Sequence, residues 1–156
     1  MGIAWAGNPV YPNDRARSIA FATIAPLLRA GVRWISLQKG LGAAALAEAP
    51  ETPDVDRTVE DVEDFADTAA VVDQLDLVVA VDTAVAHLAG ALGRPTWLLN
   101  RYDSEWRWML GRRDSHWYPS MRIFTQPGPG DWRAVIGAVA TALDEAAPWR
   151  TAGRSP

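Results

Sequence analysis

Asp82, Thr83 and His87 fall where the run Leu75–Leu99, LDLVVAVDTAVAHLAGALGRPTWLL, changes its apolar period. Before them Leu77 to Val81 is almost unbroken and rich in branched side chains, the pattern of a strand covered on both faces of a parallel sheet. After them Val85, Leu88, Ala89 and Leu92 recur at helical spacing, and Gly93 suits the left-handed residue that ends a helix. Thr83 and His87, four residues apart, share a separate stripe near the helix N-terminus. Unpaired N–H groups and the helix dipole favour a phosphate or carboxylate there by roughly 0.3–1 kcal/mol, and by about 2 kcal/mol when partly buried. Asp82 opposes a bare anion, so it reads as a cap or as the holder of a hydroxyl. The plainer alternative makes Asp82-Thr83 only a cap and His87 only a surface histidine.

Two further groups carry chemistry. The stretch from Gly7 to Arg17, GNPVYPNDRAR, is dense in turn formers, and it brings Arg15 and Arg17 just before Ser18, the expected N-cap of a helix over Ile19 to Ala30. Arginine forks take phosphate oxygens two at a time. Gln38-Lys39-Gly40 follows the strand Val32 to Leu37, where an amide and an ammonium can reach a ribose or a phosphate. The plainer readings are a solvated basic loop and a surface lysine. Arg15, Arg17, Ser18, Gln38, Lys39, Thr83 and His87 all belong to one edge of a parallel sheet, and a diphosphate fits that set.

Several classes drop out. The dinucleotide fingerprint G-x-G-x-x-G, the phosphate loop G-x-x-x-x-G-K-[ST], the zinc motif H-E-x-x-H and the elbow G-x-S-x-G are all absent. With two histidines and no cysteine, a metal centre, a thiolate nucleophile and a disulfide framework are not expected. A net charge of −4 gives no general attraction to nucleic acid or to an anionic membrane. No stretch approaches about 18 apolar residues and no signal peptide is apparent, so a soluble, cytoplasmic protein is expected.

The elements that must position these residues alternate. With 156 residues, 49% of them hydrophobic, the chain suits one domain over 1–146 and a frayed tail over 147–156. Strands are expected at Ile3–Ala6, Val32–Leu37, Asp61–Phe65, Leu77–Val81, Thr96–Leu99 and Met121–Phe124. Helices are expected at Ile19–Ala30, Leu41–Glu48, Thr68–Leu75 (capped by Asp67-Thr68, with Val71, Val72 and Leu75 inward), after Asp82, and from Asp131 to about Ala146. In the last, Trp132, Val135, Val139 and Leu143 point inward. Ala49 to Glu60 reads as a mobile acidic loop. Four of the eight tryptophans lie between Trp97 and Trp117; they can stack a base or sugar or form a satellite core, and the core is favoured. Alternating strands and helices give a doubly wound α/β sheet, parallel and Rossmann-like, with helices on both faces.

D-T-A-V-A-H-L-A followed by G-A-L-G-R-P resembles the D-[TS]-[GA]-x-x-H-[LI]-A…G-[KR]-P segment of glycosyltransferase family 9, the heptosyltransferases. AWAGNPVYPNDRARS, SLQKG, DFADTAAVVDQLDLVV and WRWMLGRRDSHWYPSMRIF are similar to the glycosyltransferase-like domain at the C-terminus of bacterial tetratricopeptide-repeat proteins, over most of Gly2 to Leu143. The resemblance implies the C-terminal, donor-binding half of a GT-B fold, which binds a nucleotide-diphosphate sugar without an obligatory metal or other cofactor. It implies donor contacts from Asn13, Arg15, Arg17, Ser18, Gln38, Lys39, Phe65, Asp82, Thr83, Ala84 and His87. Arg17 stands at a phosphate position, Asp82, Thr83, Ala84 and His87 at a second phosphate and the sugar, and Gln38 and the Phe65 to Thr68 turn toward ribose and base. Arg17, Lys39 and His87 would support the leaving diphosphate. The general base comes from the other half, so no catalytic residue is assigned. Expected partners are an acceptor-binding half or a tetratricopeptide-repeat region in cis or trans, with self-association through an uncovered face possible. The alternative is a non-catalytic nucleotide-binding or interaction module that keeps the fold.

Overall fold

The computed structural model describes residues 1–29, 32–47, 49, 55–57, 59 and 62–146. Six strands are found among them: β1 (Gly2–Ala4), β2 (Trp34–Ser36), β3 (Val55–Asp56), β4 (Val78–Val81), β5 (Thr96–Asn100) and β6 (Met121–Thr125). All pair in parallel in the order β3-β2-β1-β4-β5-β6. That is the Rossmann-type order, and it reverses between β1 and β4. Gly2 stands level with Ile35 on one side and Val78 on the other, so the carboxyl ends of β1, β2 and β4 open at the same height.

β4 shows why both faces are covered. Val79 and Val81 enter one core with Ile3, Trp34, Leu27 and the inward side of α6 (Trp132–Glu145), namely Val135, Ile136, Val139 and Leu143. Val78 and Ala80 enter the other with Leu98, Trp108, Val72 of α4 (Phe65–Val72), and Ala86 and Ala89 of α5 (Ala84–Ala91). An unbroken apolar strand is what two buried faces require. Asp131 caps α6 as anticipated, its side chain accepting from the Ala134 N–H at 3.1 Å.

Several boundaries differ from expectation. The loop after β1 holds one helical turn, α1 (Asp14–Arg17), and Ser18 is its C-cap instead of the next helix's N-cap. That next helix is only α2 (Phe21–Ile24), continuing as a tight 3₁₀ turn over Ala25–Leu27. The Ile19 N–H is tied to the Trp5 carbonyl at 2.8 Å, which delays the start, and Pro26 has no N–H to extend the α-ladder. The third strand is not Asp61–Phe65 but the two-residue β3, inside the stretch expected as an acidic loop, with Val59 fully buried beside it. α4 begins three residues early because Asp64, not Asp67-Thr68, caps it, accepting from Ala66 and Asp67 N–H groups at 2.8 and 2.9 Å. α3 (Leu41–Ala47) agrees. The inward stripe of α5 is the small set Ala86, Ala89 and Gly90, while Leu92 is exposed. Between β5 and β6 the chain runs through 101–120 with no helix. The tryptophans there divide: Trp97 and Trp108 are core, Trp106 and Trp117 are exposed. The expected tail, 147–156, and most of Ala49 to Glu60 lie outside the described residues.

Candidate functional site

The reversal between β1 and β4 opens a cleft of about 850 Å³. Its walls come from the loop after β1, from Gln38-Lys39-Gly40 after β2, from Phe65 and Thr68 of α4, from Thr83, Ala84 and Val85 at the start of α5, and from Arg107. The α5 end is chemically distinctive. Thr83 takes the N-cap position with extended backbone, yet no side chain caps the helix. Its hydroxyl donates back to the Val81 carbonyl at 3.2 Å. The first N–H groups of α5 are therefore left without a side-chain partner at residues that line the cleft, where the helix dipole is positive.

Arg17 ties the two corners together. Its Nε donates to Asp14 Oδ1 at 3.0 Å, its Nη1 donates to the Asp82 carbonyl at 3.2 Å, and its guanidinium lies 5.4 Å from the Tyr11 ring centre. Asp14 is buried beneath the loop; its second oxygen accepts from the Ser18 hydroxyl at 2.8 Å, and Ser18 Oγ accepts from the Gly7 N–H at 2.9 Å. Gly7 is required for this closure, since a Cβ there would stand 2.2 Å from Asp14 Oδ1 and 2.8 Å from Arg17 Nε. Ser18 thus serves the loop, and Asn13 and Arg15 are exposed outside the cleft lining.

Gln38 is buried and fully engaged. Its Oε1 accepts from the Trp5 and Ala6 N–H groups, and its Nε2 donates to the Ala6 and Lys39 carbonyls, which exhausts the capacity of an amide. It shapes the floor where β1 and β2 end. Lys39 lies on the wall, its ammonium donating to the Val62 carbonyl. Phe65 presents an exposed ring to the same space.

Asp82 and His87 sit behind this wall in a chain of contacts. His87 Nε2 is 3.5 Å from Asp82 Oδ1, and His87 Nδ1 is 3.0 Å from the Tyr118 hydroxyl. The imidazole stacks on Trp108, ring centres 5.2 Å apart. Tyr118 lies so close to α5 that a Cβ on Gly90 would be 2.5 Å from its Cγ. Burial by itself raises the Asp82 carboxyl, but the His87 and Trp108 N–H groups and the positive charges of His87 and Arg17 outweigh it and hold the pKa below its usual range. The Trp108 indole N–H lies near this carboxylate without forming a geometrically complete hydrogen bond.

Sequence reasoning therefore gathered Arg17, Lys39, Phe65, Thr83 and Ala84 onto one cleft, with Gln38 as its floor and Asp82 and His87 behind it. It missed Asp14, Gly7, Tyr11, Arg107, Trp108 and Tyr118. Asp14, Arg17 and Ser18 do carry a signal, the i, i+3 and i, i+4 spacing of one helical turn. Arg107 and Tyr118 reach the site from the irregular 101–120 connection, and no local pattern announces that. Arg107 pairs with Glu105, which raises its pKa, and it packs 4.8 Å over Trp106. Among the described residues no three metal-ligating side chains converge.

Residues 43–112 match the profile of glycosyltransferase family 9 (heptosyltransferase). The chain is 35% identical over 149 residues to Protein FlbA of Caulobacter vibrioides, a match covering 92% of this chain and 24% of that protein. It thus spans about a quarter of the length of the curated relative it matches. No solved structure matches. No helix among the described residues is long and apolar enough to cross a membrane. The matched stretch runs from α3 to the loop beyond β5 and includes Asp82, Thr83, Ala84 and His87; over that stretch, carried on a Rossmann-like parallel sheet, the chain is similar to glycosyltransferase family 9.

Proposed function

We propose that the chain is the donor-binding half of an inverting GT-B glycosyltransferase resembling the heptosyltransferases, taking a nucleotide-diphosphate sugar and needing an acceptor-binding half to transfer it. One observation carries the reading: the uncapped start of α5 opens into a cleft whose walls bear Arg17, Lys39 and Arg107. Helix N–H groups and three cations fit a diphosphate, and they stabilise most strongly the charge that grows on it as the sugar departs. Asp82, kept ionised, suits a sugar hydroxyl at the same corner. The exposed Phe65 ring offers a face to the base, while Gln38, with no bonding capacity to spare, sets the depth of the cleft. The sequence resemblance adds a tetratricopeptide-repeat region or acceptor half as companion.

A panel of ADP, UDP, GDP and their sugars, followed by thermal unfolding, tests this. One diphosphate should stabilise the fold, by about 2.7 kcal/mol at a hundredfold excess over its Kd, and Arg107→Ala with Lys39→Ala should abolish the effect in a folded sample. Absence of any shift, both alone and with the acceptor half added, would defeat the reading. A second reading, an interaction module without turnover, is favoured by the exposed pair Trp106 and Trp117, whose rings meet edge to face at 5.9 Å; it is distinguished by binding nucleotide, if at all, without sugar transfer in the assembled protein.

A further inference from the structure

A second concavity, of about 750 Å³, lies along the outer edge of β6. It is bounded by the turn 109–113, by α6 at Ala134, Val135 and Ala138, and by Tyr102 and Gln126. None of the residues that line the donor cleft takes part.

The turn is held in an uncommon shape. Met109 has φ +56° and Gly111 φ +71°, and a left-handed methionine is unusual because its Cβ crowds the backbone. What the turn achieves is the presentation of Arg112 and Arg113. It is lashed to β6 by the Ile123 N–H donating to the Arg113 carbonyl at 2.8 Å and by an antiparallel bridge between Asp114 and Arg122. Past that bridge, β6 is the last strand of the sheet, and among the described residues no strand lies beyond Thr125.

The charge of this edge runs against that of the chain. Arg112, Arg113 and Arg122 line it with one acid, Asp103, and Asp103 is paired with Arg101. The whole chain carries −4. Arg112 spends one amine on Asp114 at 2.7 Å, while its buried Nε has no partner. The Arg122 guanidinium rests on the faces of Phe124 and Trp97, at 4.6 and 5.7 Å, and among the described residues neither it nor Arg113 meets a carboxylate. The Gln126 Nε2, in a residue only 4% exposed, is likewise a buried donor without an acceptor. Donors exceed acceptors throughout. Beside them Leu110 and Met109 are exposed at 79% and 44%, so the cationic wall has an apolar lip.

We infer that this edge docks an extended acidic segment of a partner polypeptide. Its carboxylates meet Arg113 and Arg122, an apolar side chain between them lies against Leu110, Met109 and Phe124, and its backbone runs beside the free end of β6. A small anion would use the arginines but leave the lip bare. A nucleic acid would need a wider positive field than an acidic chain provides. The strand edge suits a peptide, whose main chain can pair with it. The inference does not depend on the donor cleft.

The test uses the full chain and a fluorescein-labelled peptide of about ten residues alternating Glu with Leu, read by anisotropy up to roughly millimolar protein. The peptide should bind, several-fold more weakly as salt rises from about 50 to 300 mM, and its Glu→Lys counterpart should not. Arg113→Ala and Leu110→Asp, both at exposed positions, should each weaken binding tenfold or more with unchanged circular dichroism, and Lys39→Ala should have no effect. Failure of the acidic peptide to bind, binding insensitive to Arg113→Ala, displacement by millimolar inorganic phosphate alone, or equal binding of a single-stranded oligonucleotide would each overturn the inference.

Discussion

The resemblance implies that His87 stands at a second phosphate and the sugar of a donor, and in the fold each of its ring nitrogens already faces a partner, Asp82 on one side and Tyr118 on the other. His87 thus reaches Asp82 and helps hold its carboxyl below the usual range. Asp82 supplies the pH prediction. Its folded pKa is lowered from an ordinary 3.8, so its interactions stabilise the fold fully above that value and are lost as pH falls through the lower folded one. Asp82→Asn should therefore cost about 1–2 kcal/mol at neutral pH. In urea titrations at stepped pH the gap from the parent should stay level down to about pH 5 and close below 3.8. A gap that persists unchanged to about pH 2 would mean that Asp82 holds no special charge in the fold.

Among the elements, β4 was legible as an unbroken run of branched apolar residues, and α5 and α6 by apolar residues that recur at helical spacing. The six-stranded parallel arrangement followed from their alternation. What escaped was short or ambiguous. β3 has two residues and cannot display a period. At the start of α4, Asp64 qualifies as a cap by residue type as Asp67 does, but it falls inside the expected strand Asp61–Phe65, so the sequence points to Asp67-Thr68 as the cap. The structure chooses Asp64, which satisfies two N–H groups and leaves Asp67 inside the first turn, where its charge favours the helix dipole. At the cleft, Lys39, Thr83 and Ala84, which follow strand ends, were recovered, whereas Gly7, Tyr11 and Asp14 of the loop after β1 and the residues of the irregular connection between β5 and β6 were not, because tertiary contacts and not local pattern set their approach. The cap choice is open to measurement. Asp64→Ala should lower stability by about 0.5–2 kcal/mol, and Asp67→Ala by a few tenths. Chemical denaturation that ranked them the other way would return the cap to Asp67.

At the scale of the molecule, one sheet separates two cores that share β4. Leu27 on the first side and Leu98 on the second are both fully buried. Replacing either by Ala should cost about 2–5 kcal/mol, through lost transfer energy and the cavity left behind. The two sites lie on opposite faces and share no cavity, so the double variant should be additive within about 0.5 kcal/mol. Cooperativity is the sharper test. Alternate residues of a four-residue strand feed the two cores, so neither face can come apart while β4 stays in register, and each variant should still unfold in one transition with an unchanged denaturant slope. A biphasic curve in either would show that the faces unfold separately. The cleft extends the same reasoning, since it is built at the carboxyl ends of the strands that both cores support. A diphosphate that stabilises the parent should add the same increment to Leu27→Ala and to Leu98→Ala, because ligand linkage depends on its Kd for the folded state and not on which face was weakened.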